Sequence, residues 1–199
     1  MDNLKEVISV SRSVSEKIAA DYVTLSLTAI GEGKYADAVD KSEAIGAAAV
    51  VALKNAGVKD VRTQGINVSA VRDGKKISAY RAVKSYTAGF GFDKAMFGKV
   101  LDALSGTDCE WRVSFSLKDR ESASKALVAR AVKEARERAE VIAEAAGVSL
   151  GGLCGVEYNS SDYDGGRPVV MRASLDGYEN ADPVDVTLSE TVTCRFEIV

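Results

Sequence analysis

The chain has 199 residues, 46% hydrophobic and 28% charged, with a formal net charge of −3 and no histidine. That length holds one sizeable core or two small lobes, and the composition is that of an ordinary soluble globular protein. The slight acidic balance excludes a general nucleic-acid binder. The lack of histidine excludes Ser-His-Asp and Cys-His nucleophile systems and the common Cys/His zinc sites, and removes the usual general base near neutral pH.

The N-terminus alternates, with Ile8, Val10, Arg12 and Val14 on one face of a first strand. A second strand carries Val23, Leu25, Leu27 and Ala29 on one face and Thr24, Ser26 and Thr28 on the other. Such alternation marks half-exposed, antiparallel sheet, and the short Ser15–Asp21 connection predicts a hairpin between the two. A helix is expected over Tyr35–Ala56, burying Val39, Ile45, Ala49, Ala52, Leu53 and Ala56, with Gly57 as its stop. Asp60–Val71 reads as a strand carrying Ile66, Val68 and Ala70, and Asp73-Gly74 is a hairpin turn signal. The return strand, Lys76–Phe92, places Tyr80, Ala82, Tyr86, Ala88, Phe90 and Phe92 on one face.

Asp93 has the chemistry of an N-cap for a second helix, Lys94–Ser105, which buries Phe97, Val100, Leu101 and Leu104 before Gly106. Trp111, Val113, Phe115 and Leu117 then alternate with Arg112, Ser114 and Ser116 in a clean strand. A long Ala-rich helix follows over Arg120–Ala146, stopped by Gly147. Its apolar stripe is Val128, Ala131, Val132, Ala135, Ala139, Ile142, Ala143 and Ala146. A stripe built mostly of methyl groups lets a helix lie close to its sheet. Its other side mixes Lys133, Arg136 and Arg138 with Glu134, Glu137 and Glu140, a solvated face held by i,i+4 pairs.

Leu150–Tyr158 reads as a strand, Asn159–Arg167 as a polar loop, Pro168–Arg172 as a short extended piece and Ala173–Pro183 as irregular. The chain closes with Val184–Glu190 and the alternating Val192, Cys194, Phe196 and Ile198. The order β-β-α-β-β-α-β-α-β-β, with alternating strands, is α+β with mostly antiparallel sheets and the long third helix packed on sheet. The reading is one domain over 1–199, with a soft seam at Asp73–Lys76 as the place where it could divide into packed lobes of about 1–73 and 74–199.

These residues resemble the SIMPL domain family, bacterial proteins described as oxidative-stress defence or periplasmic immunogenic proteins. The resemblance spans nearly the whole chain. It rests on Ala20-Asp21 before the second strand, on Leu53-Lys54-Asn55-Ala56-Gly57-Val58, and on Asp60-Val61-Arg62-Thr63 and Tyr80-Arg81-Ala82. It is strongest in Phe115-Ser116-Leu117-Lys118-Asp119, followed by Ala131, Ala135-Arg136, Ala139, Ala143, Gly147 and Leu150-Gly151. Family members usually have Pro where Ala20 stands, Pro with an aromatic where this chain has Ala70-Val71, and an export signal. The resemblance implies the α+β fold, suggests oligomers of ring or barrel form, and carries over no catalytic residue.

Motifs for chemistry are sparse. Gly31-Glu32-Gly33-Lys34-Tyr35-Ala36 follows a strand and opens a helix, matching the G-x-G-x-x-G/A pattern of dinucleotide sites. Its strand alternates, however, whereas the first strand of such a fold is buried on both faces, so a glycine-eased turn is the favoured reading. Asp162-Tyr163-Asp164-Gly165-Gly166 hints at calcium, but Arg167 and Ala173 stand where an EF-hand needs Gly and Glu. The carboxylate pairs Asp37/Asp40 and Glu137/Glu140 read as solvated surface. The aromatic stripe Tyr80, Tyr86, Phe90 and Phe92 reads as core or subunit contact rather than a base-stacking platform. Cys109, Cys154 and Cys194 are expected to be three buried thiols in strand-like settings, with no disulfide framework.

No catalytic, cofactor-binding or metal-binding residue is therefore assigned and no cofactor is expected. The expectation is a non-enzymatic protein, a homo-oligomer acting by assembly or partner binding, in stress defence. A nucleotide-binding protein or enzyme using Gly31–Ala36 and a scaffold for a signalling partner are the alternatives. The start Met1-Asp-Asn-Leu-Lys-Glu lacks the basic and apolar regions of an export signal, and no run approaches the roughly 18 apolar residues of a membrane span. A cytoplasmic location is expected, or a periplasmic or envelope one for a trimmed mature form.

Overall fold

The computed structural model describes residues 6–159 and 184–199. Among these, the chain forms β1 (Val7–Ala19), β2 (Tyr22–Gly33), α1 (Tyr35–Asn55), β3 (Asp60–Asp73), β4 (Lys76–Gly91), α2 (Lys94–Ser105), β5 (Glu110–Ser116), α3 (Arg120–Ala146), β6 (Leu150–Asn159) and β7 (Asp185–Ile198). The fold is α+β, as expected. The calcium-like loop Asp162–Gly166 and the pieces Pro168–Arg172 and Ala173–Pro183 lie outside the described residues.

The strands form two sheets, ordered β3-β4-β2-β5 and β1-β7-β6, and the chain divides into two compact units. Of the described residues, one unit holds 19–118 with 184, and the other holds 6–18, 119–159 and 185–199. The Asp73–Lys76 seam is the turn of a hairpin inside the first of these, since Asp73 pairs with Lys76 and β3 stays paired with β4 down to Asp60 opposite Gly89.

The expected β1–β2 hairpin does not form. β2 lies between β4 and β5, with Tyr22 opposite both Gly91 and Ser116, while β1 borders β7. Strand continues through Ser15 to Ala19, and the change of sheet is confined to Ala20-Asp21. That corner is tightly bonded. Asp21 N donates to Ser116 O (3.2 Å), Phe92 N donates to Asp21 O (2.8 Å), and Lys118 N donates to Asp21 Oδ1 (2.7 Å). With its carbonyl, amide and carboxylate bonded to three other segments, Asp21 belongs to the four-stranded unit and cannot also close a turn onto β1.

In the four-stranded unit, Val23, Leu25, Leu27 and Ala29 of β2, Ala82, Tyr86, Ala88 and Phe90 of β4, and Val113 and Phe115 of β5 form the buried face. Helix α2 adds Phe97, Val100, Leu101 and Leu104. It starts as expected, with the Asp93 carboxylate accepting from Met96 N at 2.8 Å. Phe92, Phe97 and Phe115 form a ring cluster with centroids 5.6–5.9 Å apart.

Helix α1 buries Ala38, Ser42, Gly46, Ala49 and Leu53, and leaves Val39, Ile45, Ala52 and Ala56 half-buried. The expected stripe was too large in side-chain volume, because α1 sits nearly backbone-to-backbone on the sheet. A Cβ on Gly31 would collide with Ala38 O and lie 2.6 Å from Ser42 N. One on Gly46 would lie 2.6 Å from Tyr86 Cζ.

The three-stranded unit is built around β7, whose Leu188, Val192, Cys194 and Phe196 are buried with Ile8, Val10 and Val14 of β1. Helix α3 contributes Leu127, Ala131, Ala135, Ala139 and Ala143 at four-residue spacing. Its stripe is narrower than the sequence reading. Val128 and Val132 are half-buried, and Ile142 and Ala146 are exposed, because a single i+4 row of methyl groups touches the sheet. Gly147 ends the helix in the left-handed region, at φ 71°. Glu190 is buried on the helix side of β7, where its carboxylate accepts from Ser124 Oγ (2.6 Å) and Tyr158 Oη (3.0 Å). Ion pairs Arg12–Glu134 and Arg130–Glu16 tie α3 to β1, while Lys133–Glu137 and Arg136–Glu140 are the i,i+4 pairs expected on the solvated side.

Candidate functional site

Gly31, Gly33 and Lys34 do turn β2 into α1, with Lys34 as the N-cap residue. The space beside Gly31, which a dinucleotide phosphate would need, is taken by the Ala38 and Ser42 backbone, and Lys41 Nζ donates to Glu32 O at 3.0 Å. The glycine serves helix–sheet contact. Asp37, Asp40, Glu137 and Glu140 are exposed. Tyr86 and Phe90 are buried core residues, while Phe92, in the ring cluster, and Tyr80, edge-on to the exposed Tyr35 at 5.4 Å, are half-buried. Among the described residues, no group of three or more Cys, Asp or Glu side chains is placed to hold a metal ion.

The expectation of three buried thiols holds for two. Cys109 and Cys194 are buried, and burial raises both thiol pKa values above their ordinary range. Cys154 is exposed, with its Sγ donating to Arg195 O at 3.3 Å. The reason is local. β6 is an edge strand whose glycines interrupt alternation, and its register against β7 shifts on both sides of Leu153.

Two surfaces of the four-stranded unit stand out. The first is the β3 edge. Both strands of the β3–β4 hairpin are far longer than the usual five or six residues, running to 14 and 16. β2 reaches only Tyr80, so beyond that pair the hairpin continues as a two-stranded ribbon to the Gly74 turn. Val71 and Ile77 are exposed in this ribbon, at 38% and 48%, and Ile66 is exposed on the edge opposite Lys84, at 46%. Natural edges are usually blunted by charge or proline. Here charges sit at the ends, on Asp60, Arg62, Arg72 and Asp73, and the stretch from Thr63 to Val71 carries neither charge nor proline. A bulge between Thr63 and Gly65 resets the alternation, so Ile66, Val68 and Ala70 share the face of Lys84, Ala82 and Tyr80.

The second surface is the opposite, helix-free face. Tyr22, Thr24, Asp60, Arg62, Gln64, Thr87, Ala88 and Gly89 line a shallow depression of about 270 Å³. Arg62 Nε and Nη2 donate to both oxygens of Asp60 at 2.8 and 3.1 Å, and Gln64 Nε2 donates to Thr87 Oγ1 at 2.8 Å. The Asp60 hydrogen bond and charge raise the Arg62 pKa, with a smaller contribution from the Tyr22 hydroxyl. The Tyr22 ring leans over Gly89, its Cζ 2.9 Å from where a Cβ would stand. Composition and periodicity do not single out this cluster. Its signal was Gln64-Gly65, a glycine interrupting a strand, which marks bulges and close approaches.

Two antiparallel α+β units and an Ala-lined helix on the smaller sheet define an α+β fold. The chain belongs to the SIMPL family. That family's model, described as a protein of unknown function (DUF541), matches residues 8–196. No curated protein matches the chain. Among solved structures, a hydrolase from Listeria innocua is 11% identical, with 93% of this chain and 91% of that chain covered, at a TM-score of 0.24, too low to support any argument. None of the helices among the described residues is long and apolar enough to cross a membrane.

Proposed function

We propose that this protein acts without catalysis as a self-assembling module, in which β3 of one copy pairs with β3 of a second. The observation that carries this reading is the uncharged, apolar-lined edge from Thr63 to Val71. An antiparallel pairing about a two-fold axis at Val68 sets Val68 against itself, Ile66 against Ala70 and Asn67 against Ser69. Like faces like on both sides of the sheet. The same register brings Arg72 opposite Gln64 and Asp73 opposite Thr63, so no like charges meet. The result is a continuous sheet of two four-stranded halves, closed by symmetry. Stress defence, if this chain takes part in it, then works through the assembled form.

Native mass spectrometry tests the reading. The wild-type chain is expected as a dimer or a multiple of it. Val68→Lys and Val68→Asp each place like charges across the axis and yield monomers, while an equimolar mixture of the two restores the dimer. A wild-type chain still monomeric at about 100 µM has a dimer Kd well above about 100 µM, too weak for a working assembly, and refutes it. So does a mixture that stays monomeric while each variant keeps the wild-type circular dichroism.

A further inference from the structure

On the helix-free face of the four-stranded sheet, the geometry points to a binding site for a neutral saccharide, seated in the depression lined by Tyr22, Thr24, Asp60, Arg62, Gln64, Thr87 and Gly89. The depression lies on the sheet face, but Gln64 borders both it and the β3 edge, so the site described is that of the single chain.

Charge selects the ligand class. Among the described residues, the one cation and the one anion lining the depression, Arg62 and Asp60, satisfy each other through two hydrogen bonds. An ionic ligand would have to break that pair, whereas a neutral one leaves it in place. The pair still offers hydrogen bonds, because Arg62 Nη1 has no bond to Asp60 and a carboxylate has lone pairs to spare. Gln64 spends its amide N–H on Thr87, which leaves its carbonyl to accept. Thr87 accepts that bond and keeps its own O–H to donate. Thr24 and Tyr22 add two more hydroxyls that both donate and accept.

Planar Arg, Asp and Gln groups beside hydroxyls and an aromatic ring suit adjacent sugar hydroxyls and the apolar flank of a pyranose. The backbone is shaped for it as well. The bulge places Gln64 and the side-chain-free Gly65 side by side, and among the described residues nothing beyond its chain neighbours lies within 4 Å of a Cβ built on Gly65. Gln64 also borders a second depression of about 530 Å³, lined by Asn67, Ser69 and Ser85 among others, which gives a linear saccharide room for a further ring.

Saturation-transfer NMR on the full chain with maltotriose, cellotriose and chitotriose, each at millimolar concentration, tests the site. At least one is expected to give ring-proton signals. Gln64→Ala and Thr24→Val should each weaken its binding by about threefold to tenfold, the scale of one lost hydrogen bond. Ala145→Leu, on the exposed side of α3, should leave it unchanged, and Trp111 fluorescence confirms that each variant is folded. Absence of signal from all three saccharides overturns the proposal, and so does binding that persists undiminished in both folded variants.

Discussion

Gly31→Ala is the sharpest test of how the four-stranded unit is packed. In a strand, replacing glycine by alanine ordinarily stabilises by about 0.5–1 kcal/mol through chain entropy. Gly31 is buried, and its new methyl group would collide with Ala38 O and come within 2.6 Å of Ser42 N. Both atoms are backbone of α1, so no rotamer change relieves the contact and the helix itself must lift. Overpacking of this kind costs about 1–3 kcal/mol, and a rigid backbone obstacle puts it at the upper end. The net expected loss is about 2 kcal/mol, or about 4–8 °C in Tm for a chain of this size. Urea unfolding read by Trp111 fluorescence measures it, because Trp111 is opposite Leu27 on the strand next to β2. Gly98→Ala is the matched control. It lies within α2, nothing is within 4 Å of its added Cβ, and helix propensity predicts a gain of about 1 kcal/mol. A Gly31→Ala protein as stable as wild type without added ligand would refute the close-contact reading and reopen the turn as a phosphate site.

Ala135→Leu forces extra volume into the fully buried alanine row of α3 and should cost about 1–3 kcal/mol, seen as lost amide-exchange protection in β7, whereas Ala145→Leu on the exposed side should stay within about 0.5 kcal/mol. Iodoacetamide should add a single label to the native protein, at Cys154, with Cys109 and Cys194 reacting only in denaturant; peptide mass mapping checks this. Burial raises the Cys194 pKa above its ordinary 9.0, so the folded state holds that proton more tightly than the unfolded state. Its contribution is complete below about pH 9 and is lost as pH rises through the folded value. Cys194→Ala should therefore flatten the alkaline decline of stability, measured by urea unfolding between pH 8 and 11; an unchanged slope would contradict it.

Local chemistry explains what was readable in the chain. Helix α2 is legible because its cap, its four apolar residues and its stop all lie within one short stretch. The same holds for the C-terminal end of α3, set by Gly147 in its left-handed conformation. The β1–β2 hairpin was misread because strand pairing is decided by distant partners: Asp21 is held by Ser116, Phe92 and Lys118, none of them near it in sequence. The inward face of α1 was misjudged for a related reason. Periodicity weighs apolar residues, but the glycines at Gly31 and Gly46 bring the sheet so close that alanine and serine fill the contact instead. Cys154 looked like a core thiol because a strand with hydrophobic neighbours reads the same at an edge as at the centre.

By itself, then, the order of residues determined the elements, their class and the family, since hydrogen bonding and apolar spacing within a helix or strand are settled among near neighbours. Tertiary structure alone decided which strands became edges, which face of each sheet stayed bare and where Asp60, Arg62, Gln64 and Tyr22 came together. Those outcomes depend on register and bulges between segments far apart in the chain, where one residue of slip moves every side chain to the other face.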